Sequence, residues 1–142
     1  MIENGIVIAV AGTVSQDLVN EPHFKVLGKV PEMHPYFAAA DFGLNPMLKG
    51  SGVNVKMIEF IAAHLPIIAT EFGCRGLELH DRESCYVFER QELLKTLLEV
   101  LPASEGEKKQ VTTRAFQKNE MRVDMTKALY QVLNNPHPGI GS

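Results

Sequence analysis

The stretch DFGLNPMLKGSGVNVKMIEFIAAHLPIIAT, residues 41–70, decides the fold of this chain. It begins with a short apolar run, residues 41–45, that predicts a strand because Pro46 stops it. A glycine-bearing loop follows, and residues 53–64 then carry apolar side chains at helical spacing. A second apolar run, residues 66–70, predicts another strand. This order of strand, loop, helix and strand is typical of a parallel α/β unit.

The same alternation continues on both sides of this stretch. Residues 6–11 are continuously apolar, as expected for a strand that is covered on both faces. The remaining elements are predicted as a strand at 25–28, a helix at 33–40, a strand at 85–88, a helix at 91–101 and a helix at 104–134, which the capping box Ser104-x-x-Glu107 opens. The sequence therefore predicts a Rossmann-like α/β fold, a parallel sheet with helices on both faces.

Composition limits the classes of function. With 142 residues, of which 45% are hydrophobic and 22% charged, the chain has the size of one globular domain. We predict that domain over residues 1–134, followed by a disordered tail at 135–142. The net charge of −3 argues against nucleic acid as the partner. Two cysteines, no apolar run of membrane-spanning length and no signal peptide favour a cytoplasmic location without a transmembrane segment.

The loop before the central helix has the chemistry of an anion site. Gly50 and Gly52 let the backbone approach a ligand closely, and the amides of the following helical turn attract an anion such as phosphate. Neither the glycine pattern of dinucleotide-binding proteins nor that of P-loop ATPases is present, so both classes are disfavoured. A tight turn that binds nothing is the alternative for this loop.

Lys56 and Glu59 follow on the central helix at positions i and i+3, so they share nearly the same face. Glu59 lies about 10 Å beyond the loop along the helix axis. That separation suits a nucleoside diphosphate laid along the helix, with its ribose hydroxyls donating to the carboxylate. An exposed ion pair between the two side chains is the alternative.

From Leu27 to Phe88 the chain resembles the C-terminal, donor-binding half of retaining GT-B glycosyltransferases of family four. The pieces that carry the resemblance are Val26–Val30, Phe37–Pro46, Gly50–Phe60, Pro66–Thr70 and Gly73–Leu77, in that order. The resemblance implies a hexosyltransferase that takes a sugar from a nucleoside-diphosphate sugar and needs no metal. The acceptor, a sugar or a lipid or protein glycan, would be held by an N-terminal half.

The resemblance also assigns roles to single residues. Glu59 would hold the ribose hydroxyls, and the amides of Gly50, Ser51 and Gly52 would contact the diphosphate. Backbone groups around Val30 would bond to the base, and Lys56 would face an anion. No catalytic residue follows from the sequence.

Two departures from the family pattern shape the expectations. Ser51 stands where the family usually carries the first of two glutamates. The family's half-domain also opens with a central strand and a basic pair for the phosphates, and nothing before Ile6 serves as either. We therefore expect a fragment that is inactive alone and binds nucleotide weakly. We also expect either a rearranged sheet or a dimer that forms through an unpaired sheet edge.

Other classes of function remain as alternatives. A noncatalytic interaction module that has kept the fold and lost nucleotide binding is the main one, because Ser51 replaces a ligand-binding glutamate. A receiver-like signalling module is disfavoured, since residues 6–12 lack the acidic side chains that hold magnesium. Cys74, His80 and Cys85 fit no zinc spacing, so no metal site is predicted.

Overall fold

The structure is a computed structural model that describes residues 6–11, 24–28, 30–50 and 54–134. These residues fall into two compact units, divided after Tyr36. The first unit contains strands β1 (Ile8–Ala11) and β2 (Phe24–Gly28), which pair in parallel. Helix α1 (His34–Ala39) contains the division.

The second unit is built on a parallel three-stranded sheet in the order β3-β4-β5. Its elements are strand β3 (Gly43–Asn45), helix α2 (Val55–Ala62), strand β4 (Ile67–Ala69), strand β5 (Tyr86–Val87), helix α3 (Leu93–Val100) and helix α4 (Glu105–Asn134). Short 3-10 turns at Phe72–Cys74 and Arg90–Glu92 precede β5 and α3. Helix α2 lies between two parallel strands, as a crossover connection requires.

The core of this unit forms where α2 packs against β4 and α4. All three residues of β4 are buried, which explains why its sequence is continuously apolar rather than alternating. Met57 and Ile61 of α2 and Val123 of α4 are at most 1% exposed. The Phe60 ring fills the space that Gly43 leaves above β3, since a Cβ there would lie 2.8 Å from the ring.

Helix α4 begins with one half of the predicted capping box. The Ser104 hydroxyl accepts the Glu107 backbone N–H at 3.1 Å, so the predicted N-cap is confirmed. The Glu107 carboxylate accepts a hydrogen bond of 2.7 Å from the Tyr86 hydroxyl, which ties the first turn of α4 to β5. Glu107, whose side chain was predicted to close the box on the Ser104 N–H, thus fastens the helix to the sheet instead.

The predicted α/β class and Rossmann-like parallel sheet are confirmed. Boundaries differ by a few residues, chiefly because the strands pair over shorter stretches than their apolar runs. The helix predicted at 91–101 begins with a 3-10 turn, so its α-helical part begins only at Leu93. The predicted tail at 135–142 lies outside the described residues.

Candidate functional site

The carboxyl ends of β3 and β4 lie side by side because the two strands are parallel, with Asn45 opposite Ala69. Two loops leave the sheet at this edge. One runs from Pro46 to α2 and is described as far as Gly50, and the other begins at Thr70. In open parallel α/β sheets this edge is where ligands bind.

Side-chain hydrogen bonds fasten the two loops together. The Thr70 hydroxyl donates to the Met47 carbonyl and accepts the Gly73 backbone N–H at 3.0 Å. The Asn54 side chain donates to the Gly73 carbonyl at 2.6 Å, although it lies just before α2 and makes no capping bond to that helix. We call these contacts of Met47, Asn54, Thr70 and Gly73 the loop clamp. It ties Met47 and Asn54, which lie before and after residues 51–53 in the chain, to the loop that follows β4.

Asn45, at the carboxyl end of β3, holds Met47 of the loop clamp by a further hydrogen bond. Its side chain is 2% exposed, and its Oδ1 accepts the Met47 backbone N–H at 3.2 Å. Its Nδ2 is buried and has no hydrogen-bond partner in the described structure. A Cβ at Gly73 would lie 3.1 Å from the Asn45 side chain, which is tighter than an ordinary contact, so glycine favours this close approach of the second loop.

Helix α2 presents two of the predicted site residues to solvent. It buries Met57, Ile58, Phe60 and Ile61, whereas Lys56 and Glu59 are exposed. The Glu59 carboxylate therefore lies outside the hydrophobic core, on the polar face of the helix that follows the glycine-bearing loop. Its proposed contact with ribose stays a prediction.

The remaining predicted residues are distributed as follows. Gly50 is exposed and has a φ of +145°, a conformation that favours glycine. Ser51 and Gly52 lie outside the described residues. Val30 is half-buried in the first compact unit, and its predicted contact with the base stays a prediction.

A groove of about 350 Å³ opens beside the start of α2. It lies between that helix, the loop after β4 and α4, and Asn54 is among its lining residues. Arg75 lines it and is held in place, since its guanidinium stacks on the Phe72 ring at 4.3 Å and donates to the Phe72 carbonyl at 3.3 Å. Arg122 contributes a second cation from α4.

A second groove, at the carboxyl end of β5, has the opposite charge. Four of its lining residues are acidic: Asp81, Glu89, Glu92 and Glu99. Like charges repel, so this groove does not suit a phosphate. In the part of the chain that the structure describes, no three His, Cys, Asp or Glu side chains come together as a metal site.

Sequence reasoning found the glycine-bearing loop and α2 but missed Asn45, Asn54, Thr70 and Arg122. Asn45 and Thr70 had a usable signal, because each is a polar residue at the carboxyl end of a predicted parallel strand. Arg122 had none. It reaches the groove only because α4 folds back onto α2, a contact between residues far apart in the chain.

Comparison with known proteins identifies a family for this chain. No curated protein matches the chain significantly. The family model described as "Glycosyl transferases group 1" matches residues 3–102, which is more than half of the chain and includes β1 through α3. Together with the parallel α/β fold and a loop-and-helix arrangement at the carboxyl edge of its sheet, this match shows that the chain belongs to the group 1 glycosyltransferases.

Proposed function

We propose that this chain is the donor-binding portion of a glycosyltransferase that moves a hexosyl group from a nucleoside-diphosphate sugar to an acceptor with retention of configuration. The observation that carries the proposal is the arrangement on α2. The helix begins directly after a glycine-bearing loop, and the exposed Glu59 lies one to two turns further along. A diphosphate at the loop then leaves the ribose near a carboxylate that accepts hydrogen bonds from two adjacent hydroxyls.

The proposed role of the loop and α2 residues is to stabilise negative charge. Sugar transfer leaves a nucleoside diphosphate whose negative charge increases as the glycosidic bond breaks. In this proposal the amides of Gly50, Ser51 and Gly52 and those of the first turn of α2 would stabilise that charge, with Lys56 adding a cation. α2 has no acidic residue in its first turn and no side-chain cap, so nothing in the described first turn competes with an anion there. We expect no metal to be required.

The loop clamp supports this proposal by holding Met47 and Asn54, which flank the glycine-bearing residues 50–52 in the sequence, against the loop after β4. Preorganised donors cost no reorganisation when charge develops, whereas a mobile loop would have to be ordered first. Thr70 and Asn54 are therefore positioning residues for the diphosphate loop. The base would meet backbone groups near Val30.

The acceptor side of the reaction belongs to the rest of the enzyme. In this proposal a sugar, or a lipid or protein glycan, is held by an N-terminal half, and the chain described here does not turn over alone. We also propose a cytoplasmic location. No helix of the described residues has the length and apolarity to cross a bilayer.

Calorimetric titration with nucleoside diphosphates tests the proposal. We expect weak but saturable binding, lowered about tenfold or more by Glu59→Ala, because a charge-assisted hydrogen bond contributes about 1.5–3 kcal/mol. The matched control is Glu120→Ala, which removes an exposed carboxylate from α4. Equal affinities of the wild type and Glu59→Ala would refute the ribose contact, and absence of binding by the wild type would refute donor binding.

One observation favours the second candidate, a noncatalytic interaction module. Met121, Met125 and Leu129 recur every four residues on α4 and are 75%, 65% and 60% exposed. An apolar stripe of this kind is typical of a protein-binding surface. This candidate predicts that no nucleotide binds and that a stable protein complex is lost when Met125 is changed to Glu.

A further inference from the structure

We propose that Arg75 and Arg122 form a phosphate-binding wall in the groove beside the start of α2, and that this groove takes a phosphate-bearing small molecule. The proposal deepens the proposed function, because it supplies a basic pair at the start of α2, where the diphosphate is expected. The part of the proposal that concerns nucleotides rests on the proposed function. The part that concerns binding of inorganic pyrophosphate does not depend on whether the chain binds a nucleotide.

The first support is the sign of the charge in the groove. Its lining residues are Asn54, Ile58, Arg75, Gly76, Leu77, Arg122, Met125 and Thr126. Two of these are cationic and none is acidic. When charges of one sign line a concave, partly apolar surface, they strengthen the electrostatic potential there and favour a ligand of opposite charge.

The second support is that neither guanidinium forms an ion pair with a described residue. The ion pairs among the described residues involve His80, Arg82, Lys108 and Lys118, and neither Arg75 nor Arg122 is among them. Arg75 gives one hydrogen bond to the Phe72 carbonyl, which leaves other donors of its five-donor fork. One arginine guanidinium can donate two parallel hydrogen bonds to two oxygens of a phosphate. Two arginines therefore suit a diphosphate better than they suit a single carboxylate.

The third support is preorganisation. Stacking on Phe72 and the bond to its carbonyl restrict the Arg75 side chain before any ligand arrives. Asn54 belongs to both the groove and the loop clamp, so the groove is connected to the loop that precedes α2. Thr126 adds a hydroxyl that donates or accepts. At about 350 Å³ the groove has room for a diphosphate with part of an attached group.

The experiment is titration of the chain with inorganic pyrophosphate, followed by calorimetry. We expect saturable binding at about millimolar concentration or below, weakened about tenfold by Arg75→Gln and by Arg122→Gln. The matched control is Arg114→Gln, which removes the same charge from α4 outside the groove and leaves the affinity unchanged. Arg75→Lys keeps the charge and is expected to retain part of the binding. It therefore separates loss of charge from loss of packing on Phe72.

Three outcomes would overturn the proposal: no binding of pyrophosphate to the wild type, an affinity for pyrophosphate that neither Arg75→Gln nor Arg122→Gln lowers, or an equal loss in the Arg114→Gln control. Titration with nucleoside diphosphates separates this proposal from the proposed function. If pyrophosphate binds through the two arginines while nucleoside diphosphates bind no better, the groove stands as a phosphate site and the donor proposal fails. If nucleoside diphosphates bind and neither arginine variant changes their affinity or that of pyrophosphate, the groove proposal fails and the donor proposal stands.

Discussion

At the scale of single residues, His64 has the least expected conformation. It follows α2 with a φ of +55°, and its backbone N–H donates to the Ile61 carbonyl at 3.1 Å. Leu65 donates to the Phe60 carbonyl at 3.0 Å, which completes a Schellman motif. Glycine usually occupies this left-handed position. Here the His64 ring stacks on Phe116 of α4, with 4.8 Å between centroids, and that contact explains the choice of residue.

Substitutions of His64 separate the cost of its left-handed backbone from the contribution of its ring contact with Phe116. His64→Ala loses the ring contact and keeps the strained backbone, whereas His64→Gly loses the contact and relieves the strain. We expect the glycine variant to be the more stable of the two by about 1 kcal/mol in urea unfolding. The control is Ala63, whose φ is −83°. There the Ala63→Gly variant should be less stable than the wild type, the reverse of the order expected at position 64. Equal stability of the two His64 variants would contradict the argument.

The two cysteines should react differently. Cys74 is half-buried and hydrogen-bonded to the thiol of Cys85, which lowers the pKa of Cys74. The pKa of the buried Cys85 is raised by the same hydrogen bond and by burial. Because the thiolate is the reactive form, Cys74 should be alkylated by iodoacetamide at a lower pH than an ordinary thiol. Cys85 should react only after unfolding, as mass spectrometry of peptides would show.

Cys85→Ala is the control for this assignment. It removes the hydrogen-bond donor, so the pH at which Cys74 reacts should rise. Alkylation of Cys85 in the native protein at the rate of Cys74 would show that burial does not protect it.

At the scale of elements, the sequence predicted most of what local patterns determine. Residues 67–69 were predictable as a strand because a fully buried strand has no polar face to alternate with. The start of α4 was predictable from Ser104, since a cap is a local hydrogen bond. The loop clamp was not predictable in detail. It depends on the register of β3 against β4, which brings Thr70 to Met47 and Gly73 to Asn54, and single-sequence patterns do not contain that register.

Thr70 tests the loop clamp. Thr70→Val keeps the shape of the side chain but leaves the Met47 carbonyl and the Gly73 N–H without their hydroxyl partner, so we expect a loss of about 1–3 kcal/mol in stability. Thr70→Ser keeps the hydroxyl and should cost about 1 kcal/mol or less, the effect of a lost methyl group. Hydrogen exchange in residues 46–50 should be faster in the valine variant alone. Equal exchange in both variants would show that the clamp does not hold the loop.

At the scale of the whole molecule, the family match and the fold agree, but one edge of the three-stranded sheet has no paired strand among the described residues. Among the described residues β3 pairs only with β4. Gly43 donates to Pro66 at 2.8 Å, and Asn45 accepts from Thr70 at 3.1 Å, so both face β4. Since backbone groups alternate along a strand, the N–H and C=O of Leu44 face the other edge. Unpaired strand edges of this kind favour pairing with another chain.

We therefore expect the chain to self-associate through β3. In sedimentation velocity the apparent mass should rise with concentration toward that of a dimer. Leu44→Pro removes the outward-facing donor, whereas the bonds to β4 use the Gly43 N–H and the Asn45 carbonyl, which this substitution keeps. This variant should stay monomeric, with far-ultraviolet circular dichroism like that of the wild type as the check on folding. Met125→Glu on the apolar stripe of α4 is the matched control and should still dimerise. A wild-type chain that stays monomeric at every concentration, or a dimer lost in Met125→Glu and kept in Leu44→Pro, would show that β3 is not the interface.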